Sequence, residues 1–236
     1  MKVKRAVFLA AGMGSRLAPV TDTVPKPLVK VHGKRIVASL LDAVLAAGIE
    51  EIHLVRGYRG EAFDALLQDY PMLHFLDNPD FSVANNISSV VCAGAYLRNA
   101  YIIESDLWLR NPSLIPSCQE ESNYLAIPVE ETGDWCFFVG EDGYIRRMSV
   151  GGRNCEQMVG ISYWSEEDGA RLARRAEELY RDEGKRQLYW DQVALEEFLP
   201  EFRIRTRHCT RADVAEIDTL EELQAIDESY LGIGDE

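Results

Sequence analysis

Leu9-Ala10-Ala11-Gly12-Met13-Gly14-Ser15-Arg16-Leu17 follows the apolar run Ala6-Val7-Phe8-Leu9, and Lys26-Pro27 comes nine residues after it. An unbroken apolar run that ends in a glycine-rich bend reads as a buried parallel strand over residues 6–10, because such strands are covered on both faces. Small residues past its carboxyl end let the backbone approach a ligand and turn successive N–H groups toward an anion. Arg16 and Lys26 add fixed positive charge, so the stretch is expected to cradle a triphosphate. It matches neither of two familiar cradles. The string Gly-x-x-x-x-Gly-Lys-Ser/Thr is absent, and Gly14 is followed by Ser15-Arg16-Leu17 and then Pro19, which discourages the helix that a dinucleotide fingerprint would open.

Strand and helix patterns alternate through the first hundred residues. Strands are expected over 6–10, 51–55, 73–76 and 100–104, and helices over 36–47 (closed by Gly48), 59–68 and 86–97. Alternation of this kind implies right-handed crossovers and an α/β, Rossmann-like, mostly parallel mixed sheet with helices on both faces. Ligands bind such sheets at the carboxyl ends of the strands, where the glycine loop and Asp106 both fall. Further on, strands are expected over 124–128, 135–139, 144–148 and 159–164, a long charged helix over 166–181, a helix after Asp191, a strand near 202–206 and a last helix from Thr219. Residues 231–236 read as a frayed tail. The expectation is one domain over 1–236, with a nucleotide-binding half over about 1–115 and a substrate-binding half over about 116–229.

Composition narrows the partners. The net charge is −14 and the basic residues form no stripe, which excludes a nucleic-acid backbone as the expected partner. An acidic chain that binds a triphosphate must concentrate positive charge locally or recruit a metal. No apolar stretch approaches the roughly 20 residues that span a bilayer, and Met1-Lys2-Val3-Lys4-Arg5 leads into too short an apolar segment for a signal peptide, so a cytoplasmic protein without a membrane partner is expected. Cys92, Cys118, Cys136, Cys155 and Cys209 are odd in number and lack metal-type spacing, which reads as reduced thiols. His32, His53, His74 and His208 are scattered, so neither a zinc site nor a histidine-centred triad is expected.

The glycine stretch with Lys26-Pro27 resembles the signature of the nucleotidyltransferases that include sugar-nucleotide pyrophosphorylases and small cytidylyltransferases: Leu-Ala-(Ala/Gly)-Gly-x-Gly-(Ser/Thr)-Arg-Leu, then Lys-Pro. The resemblance implies a nucleotide on Leu9, Ala10, Ala11, Gly12, Gly14, Ser15 and Arg16, and catalytic roles for Arg16, Lys26 and Asp106. Asp106 ends the strand Ile102-Ile103-Glu104-Ser105, where an aspartate either caps a turn or holds Mg²⁺. Its metal partner in the resembling family is a late acidic residue before a helix that starts with Thr; Glu216 and Asp218 both fit.

Two further clusters stand out. Asn85, Asn86, Ser88 and Ser89 are good helix-capping residues, and their amides and hydroxyls equally suit base and ribose recognition. Asp134-Trp135 and Tyr189-Trp190-Asp191 place large rings beside carboxylates, which a cationic ligand requires although most aromatics are core. With these segments the chain resembles the bacterial phosphocholine cytidylyltransferases. That resemblance implies transfer of CMP from CTP to phosphocholine with Mg²⁺, giving CDP-choline and pyrophosphate. The alternatives are 2-aminoethylphosphonate or phosphoethanolamine as the acceptor, then a sugar 1-phosphate, and, outside enzymes, an inactive nucleotide-sensing homologue. The oligomeric state, monomer or homodimer, is left open.

Overall fold

The computed structural model describes residues 1–234, so Asp235 and Glu236 of the expected tail lie outside the described residues. The described residues form eleven strands and five α-helices, joined by loops and short 3-10 and π turns. They begin with β1 (Arg5–Ala10), a small β2 (Lys30–Val31) and β3 (Lys34–Arg35) hairpin, α1 (Ile36–Ala46), β4 (Glu51–Arg56) and β5 (Leu73–Asp77). Next come α2 (Ile87–Cys92), β6 (Ala100–Glu104), β7 (Leu107–Leu109), β8 (Asn123–Val139) and β9 (Ile145–Trp164). The series closes with α3 (Glu166–Tyr180), α4 (Trp190–Gln192), β10 (Arg205–His208), β11 (Val214–Glu216) and α5 (Leu220–Ile226).

One seven-stranded mixed sheet, in the order β10-β8-β9-β6-β1-β4-β5, joins both halves of the chain. β1 runs parallel to β4 and β6, whereas β9 pairs antiparallel with β6 and with β8. The continuous apolar run of β1 is explained by its central place. Ala6, Phe8 and Ala10 face one core cluster with Val37, Leu40 and Leu41 of α1, while Val7 and Leu9 face the other with Ile87 and Val90 of α2 and Leu172 of α3. Both faces are apolar because both are covered.

Several boundaries differ from the sequence reading. The four strands expected between 124 and 164 are two long strands, each bent through register shifts between Thr132 and Trp135 and again at Cys136 to Val139. The helix expected over 86–97 is interrupted: α2 stops at Cys92 and Gly94–Tyr96 winds as a separate 3-10 turn, in keeping with the weak helix propensity of Gly94. Residues Gly60–Gln68 are also 3-10 helical, entered through Arg59 in the left-handed conformation. The strand expected near 202–206 runs over Arg205–His208, set by parallel pairing of Arg205 with Asn123, and Phe202 and Ile204 are core instead. Among the described residues no helix is long and apolar enough to cross a membrane. The five cysteines are free thiols, with Cys136, Cys155 and Cys209 buried.

Candidate active site

The carboxyl ends of β1 and β6 open into a cleft of about 220 Å³. Past β1 the chain makes only short 3-10 turns, Ser15–Leu17, Val20–Asp22 and Lys26–Leu28, which fold the glycine loop back over itself. Gly14 sits at φ +62°, and a Cβ there would stand 2.8 Å from the Lys26 Cβ, so only glycine lets the loop close on Lys26. Thr21 Oγ1 donates to the Gly14 carbonyl at 2.9 Å and holds that closure. Leu9, Ala10, Ala11, Gly12 and Gly14 line the cleft. Gly12 and Ser15 are exposed, and nothing lies within 4 Å of a Cβ built on Gly12.

Lys26 is 8% exposed and points its ammonium between two carboxylates, 2.9 Å from Asp106 Oδ2 and 2.5 Å from Asp218 Oδ1. Burial opposes that charge, but Asp106 and Asp218 outweigh it and hold the Lys26 pKa above its ordinary value. Arg16, largely exposed, pairs with the other Asp218 oxygen at 2.9 Å. Burial also works against the Asp218 carboxylate, yet Lys26 and Arg16 keep its pKa below the usual range. Glu216 completes the group: Asp106, Glu216 and Asp218 each bring one carboxylate oxygen within 4.8 Å of the others. Glu216 keeps an exposed edge, but loss of water around the carboxylate and then the charges of Asp106 and Asp218 push its pKa up to about 8. Three hard oxygen donors converging beside a phosphate-sized cleft are the donor chemistry Mg²⁺ takes.

Local structure explains the convergence. β7 turns off the end of β6 and pairs antiparallel with β11, Leu107 opposite Glu216, and the Ile217 amide donates to the Asp106 carbonyl at 3.1 Å. Thr219 then caps α5 in a capping box with Glu222, whose carboxylate also accepts from the Asp218 amide at 2.7 Å. The capping role thus belongs to Thr219, and Asp218 is left free to face Lys26.

Asn86 lines the cleft and makes no side-chain cap to α2. Asn86 Oδ1 accepts from the Trp190 amide at 2.8 Å, and Asn85 Nδ2 donates to the Gln187 carbonyl at 3.2 Å, so the pair also ties the segment before α4 to the cleft. Ser89 lines the cleft, whereas Ser88 turns away, donating to the Asn85 carbonyl and accepting from Asn78. Glu104 accepts from Trp190 Nε1 at 2.7 Å; burial first, then Asp106 and Asp191, push its pKa well above the carboxylate range.

The aromatic cluster divides. Trp190 and Asp191, expected on the substrate, are core residues at 1% and 4% exposure. Trp190 stacks on Tyr124 and packs against Trp164, and Asp191 accepts from the Tyr124 hydroxyl at 2.6 Å. The physical reason is the apolar face of β8 and β9, which draws α4 inward. Trp135 and Tyr189 keep open surface and meet edge to face with centroids 5.7 Å apart. Asp134 is exposed and accepts from Gln157 Nε2 at 2.8 Å. With Gln157, Arg211 and Glu216 it borders a second recess of about 180 Å³ that shares Glu216 with the carboxylate group. Sequence reasoning missed Gln157 and Arg211, which meet at 2.8 Å from 54 residues apart without any local motif.

The nucleotidyl transferase family model matches residues 5–104, from β1 through β6. A 2-aminoethylphosphonate cytidylyltransferase of Lancefieldella rimae is 35% identical over 96% of this chain and 93% of its own length. The chain belongs to the nucleotidyl transferase family. A second near full-length relative, a choline-phosphate cytidylyltransferase of Streptococcus pneumoniae, is 25% identical over 95% of this chain and 97% of its own. The solved structure of the CTP:phosphocholine cytidylyltransferase from Streptococcus pneumoniae superposes with a TM-score of 0.89, covering 97% of this chain and 99% of that one at 25% identity. The inositol-1-phosphate CTP transferase of T. maritima shares the fold, with a TM-score of 0.76 at 17% identity over 98% of this chain and 94% of that one. The fold is that of the nucleotide-diphospho-sugar transferases, and the chain is a nucleotidyltransferase placed among cytidylyltransferases.

Proposed function

We propose that the chain transfers CMP from CTP to 2-aminoethylphosphonate and releases pyrophosphate. The observation that carries the reading is the 35% identity, over nearly the full length of both chains, to a relative named for that reaction, against 25% and 26% for the two choline-phosphate relatives. It replaces the phosphocholine expectation as the first reading. The local chemistry supports it. A trimethylammonium group is held by several ring faces, and Trp190 is withdrawn into the core, which leaves Trp135 and Tyr189. A primary ammonium instead needs hydrogen-bond acceptors, and Asp134 and Gln157 offer them around the recess next to the carboxylates.

In this reading a phosphonate oxygen attacks the α-phosphorus of CTP, a P–O bond forms there, and the bond to the bridging oxygen of pyrophosphate breaks with its electron pair. The attacking group is already an anion near neutral pH, so positioning and charge neutralisation supply the rate and no general base is required. Lys26 neutralises the α-phosphate and the incoming phosphonate. Arg16 and the amides of Gly12, Gly14 and Ser15 receive the departing pyrophosphate, while Asn85, Asn86 and Ser89 hold the nucleoside. Asp106, Glu216 and Asp218 would hold Mg²⁺, which when bound adds charge neutralisation at the phosphate oxygens.

Phosphocholine remains the second reading, supported by the overall superposition on a phosphocholine enzyme and by the open Trp135–Tyr189 pair. Rates of pyrophosphate release from CTP with 2-aminoethylphosphonate, phosphoethanolamine and phosphocholine separate the two. The phosphonate is expected to give the highest kcat/KM, and a preference for phosphocholine would reverse the order of the readings.

A further inference from the structure

The recess that shares Glu216 with the carboxylate group carries a charge that a bare amine does not call for. Asp134 of β8, Gln157 of β9 and Arg211 of the loop between β10 and β11 all line it. Gln157 Nε2 donates to Asp134 Oδ2 at 2.8 Å, and Arg211 Nη2 donates to Gln157 Oε1 at 2.8 Å. Neither charged end is neutralised: among the described residues the Asp134 side chain pairs with no cation and Arg211 with no carboxylate, and each bonds only the Gln157 amide. Arg211 is also the sole cation lining the recess, whose other ionisable groups are Asp134, Glu216 and Glu222. Glu222 is already taken by the amides of Asp218 and Thr219.

An acceptor bearing only an ammonium gains nothing from Arg211, because the two cations repel. A carboxylate on the same acceptor reverses the sign. The guanidinium has donors left beside the one that Gln157 takes, and its fork matches a carboxylate through two parallel bonds. Gln157 shows how such a ligand lies. Its amide turns a donor toward Asp134 and an acceptor toward Arg211, the same order in which an ammonium and a carboxylate on one carbon present themselves. Leu107, Ile127 and Val159 supply apolar lining for a short carbon chain, and Glu216 marks the end where the phosphonate belongs.

We propose that the recess accepts a phosphonate whose amine-bearing carbon also carries a carboxylate, so that the chain transfers CMP to a phosphono α-amino acid as well. Asp134 pairs with the ammonium and Arg211 with the carboxylate. The proposal rests on the cytidylyltransferase reading above, with the recess as its acceptor site. The reacting bonds are the same: a phosphonate oxygen forms the P–O bond to the α-phosphorus of CTP, and pyrophosphate leaves with the electron pair of the bond that breaks. The ammonium and carboxylate keep their charges throughout.

Pyrophosphate-release kinetics with CTP test it, on the full chain, Arg211→Gln and Arg211→Lys, with 2-aminoethylphosphonate and with 2-amino-3-phosphonopropanoate as acceptors. The readout is the ratio of kcat/KM for the carboxylated acceptor to that for the plain amine. Wild type is expected to turn over both. Arg211→Gln should lower the ratio by at least about tenfold, as loss of a charge-assisted pair implies, through a raised KM for the carboxylated acceptor. Arg211→Lys keeps the charge without the fork and should recover part of that loss. Wild type that uses 2-aminoethylphosphonate but not the carboxylated acceptor would overturn the proposal and leave the first reading standing. An unchanged ratio in Arg211→Gln would do the same, since equal losses put Arg211 on the phosphonate that both acceptors share. Turnover of neither acceptor would overturn the reading of the recess, and the proposal with it.

Discussion

The Lys26 ammonium lies 2.9 Å from the Asp106 carboxylate across 80 residues of chain. One residue belongs to the turns after β1 and the other to the end of β6, the two adjacent parallel strands whose carboxyl ends form the cleft. An almost fully buried ammonium is tolerated only with such partners. The pairing keeps Lys26 charged at the wall of the cleft, where the proposed reaction needs phosphate charge neutralised.

Lys26→Ala should therefore lower kcat/KM by at least about tenfold, a loss of roughly 1.4 kcal/mol of transition-state stabilisation. It also leaves Asp106 and Asp218 facing each other without their cation. Steady-state kinetics beside a circular dichroism spectrum check both points; unchanged kcat/KM would remove Lys26 from the reaction.

Metal dependence follows from the three converging carboxylates. Asp106→Asn keeps the side-chain shape while removing one charge, so turnover should collapse with the fold retained. Wild type in excess EDTA should lose activity and recover it on addition of Mg²⁺. Normal turnover in EDTA would show that the carboxylates serve only Lys26 and Arg16.

Asp191 gives a pH-dependent stability term separate from the chemistry. Burial, partly offset by the Tyr124 hydroxyl, pushes its pKa from 3.8 up to about 7. Between those values the folded state holds a proton that the unfolded chain has released, so this residue's contribution to stability falls as pH rises from about 4 to 7. Asp191→Asn does not titrate and should gain stability relative to wild type across that window. Urea melts of both proteins at pH 5 and pH 8 measure it, and a constant difference between them would contradict the assigned burial of the charge.

Much of this site is legible in the sequence because its chemistry is carried by short local patterns. The apolar run of β1, the glycines, Lys26-Pro27 and the strand-end Asp106 each announce their position, and Glu216 and Asp218 precede a capped helix. The parts that are not legible depend on packing. Nothing local distinguishes Trp190, drawn into the core against Tyr124 and Trp164, from Tyr189 beside it, which stays 44% exposed. The bends of β8 and β9 come from register shifts between strands, which no single stretch encodes.

The rings and the recess make opposite demands on the amine. Trp135→Ala should cut kcat/KM for phosphocholine by about tenfold, within the range of a desolvated cation–π contact, and should affect 2-aminoethylphosphonate less. Equal losses for both substrates would mean that Trp135 supports the site's shape instead of reading the cation.

The central claim is tested most directly by ³¹P NMR of the purified protein incubated with CTP, 2-aminoethylphosphonate and Mg²⁺. The account expects pyrophosphate and, in equal amount, a new phosphonate resonance coupled to a single CMP phosphorus, formed faster than the corresponding product from phosphocholine. Hydrolysis of CTP without that coupled product, or no consumption of CTP with any of the amine substrates, would contradict it.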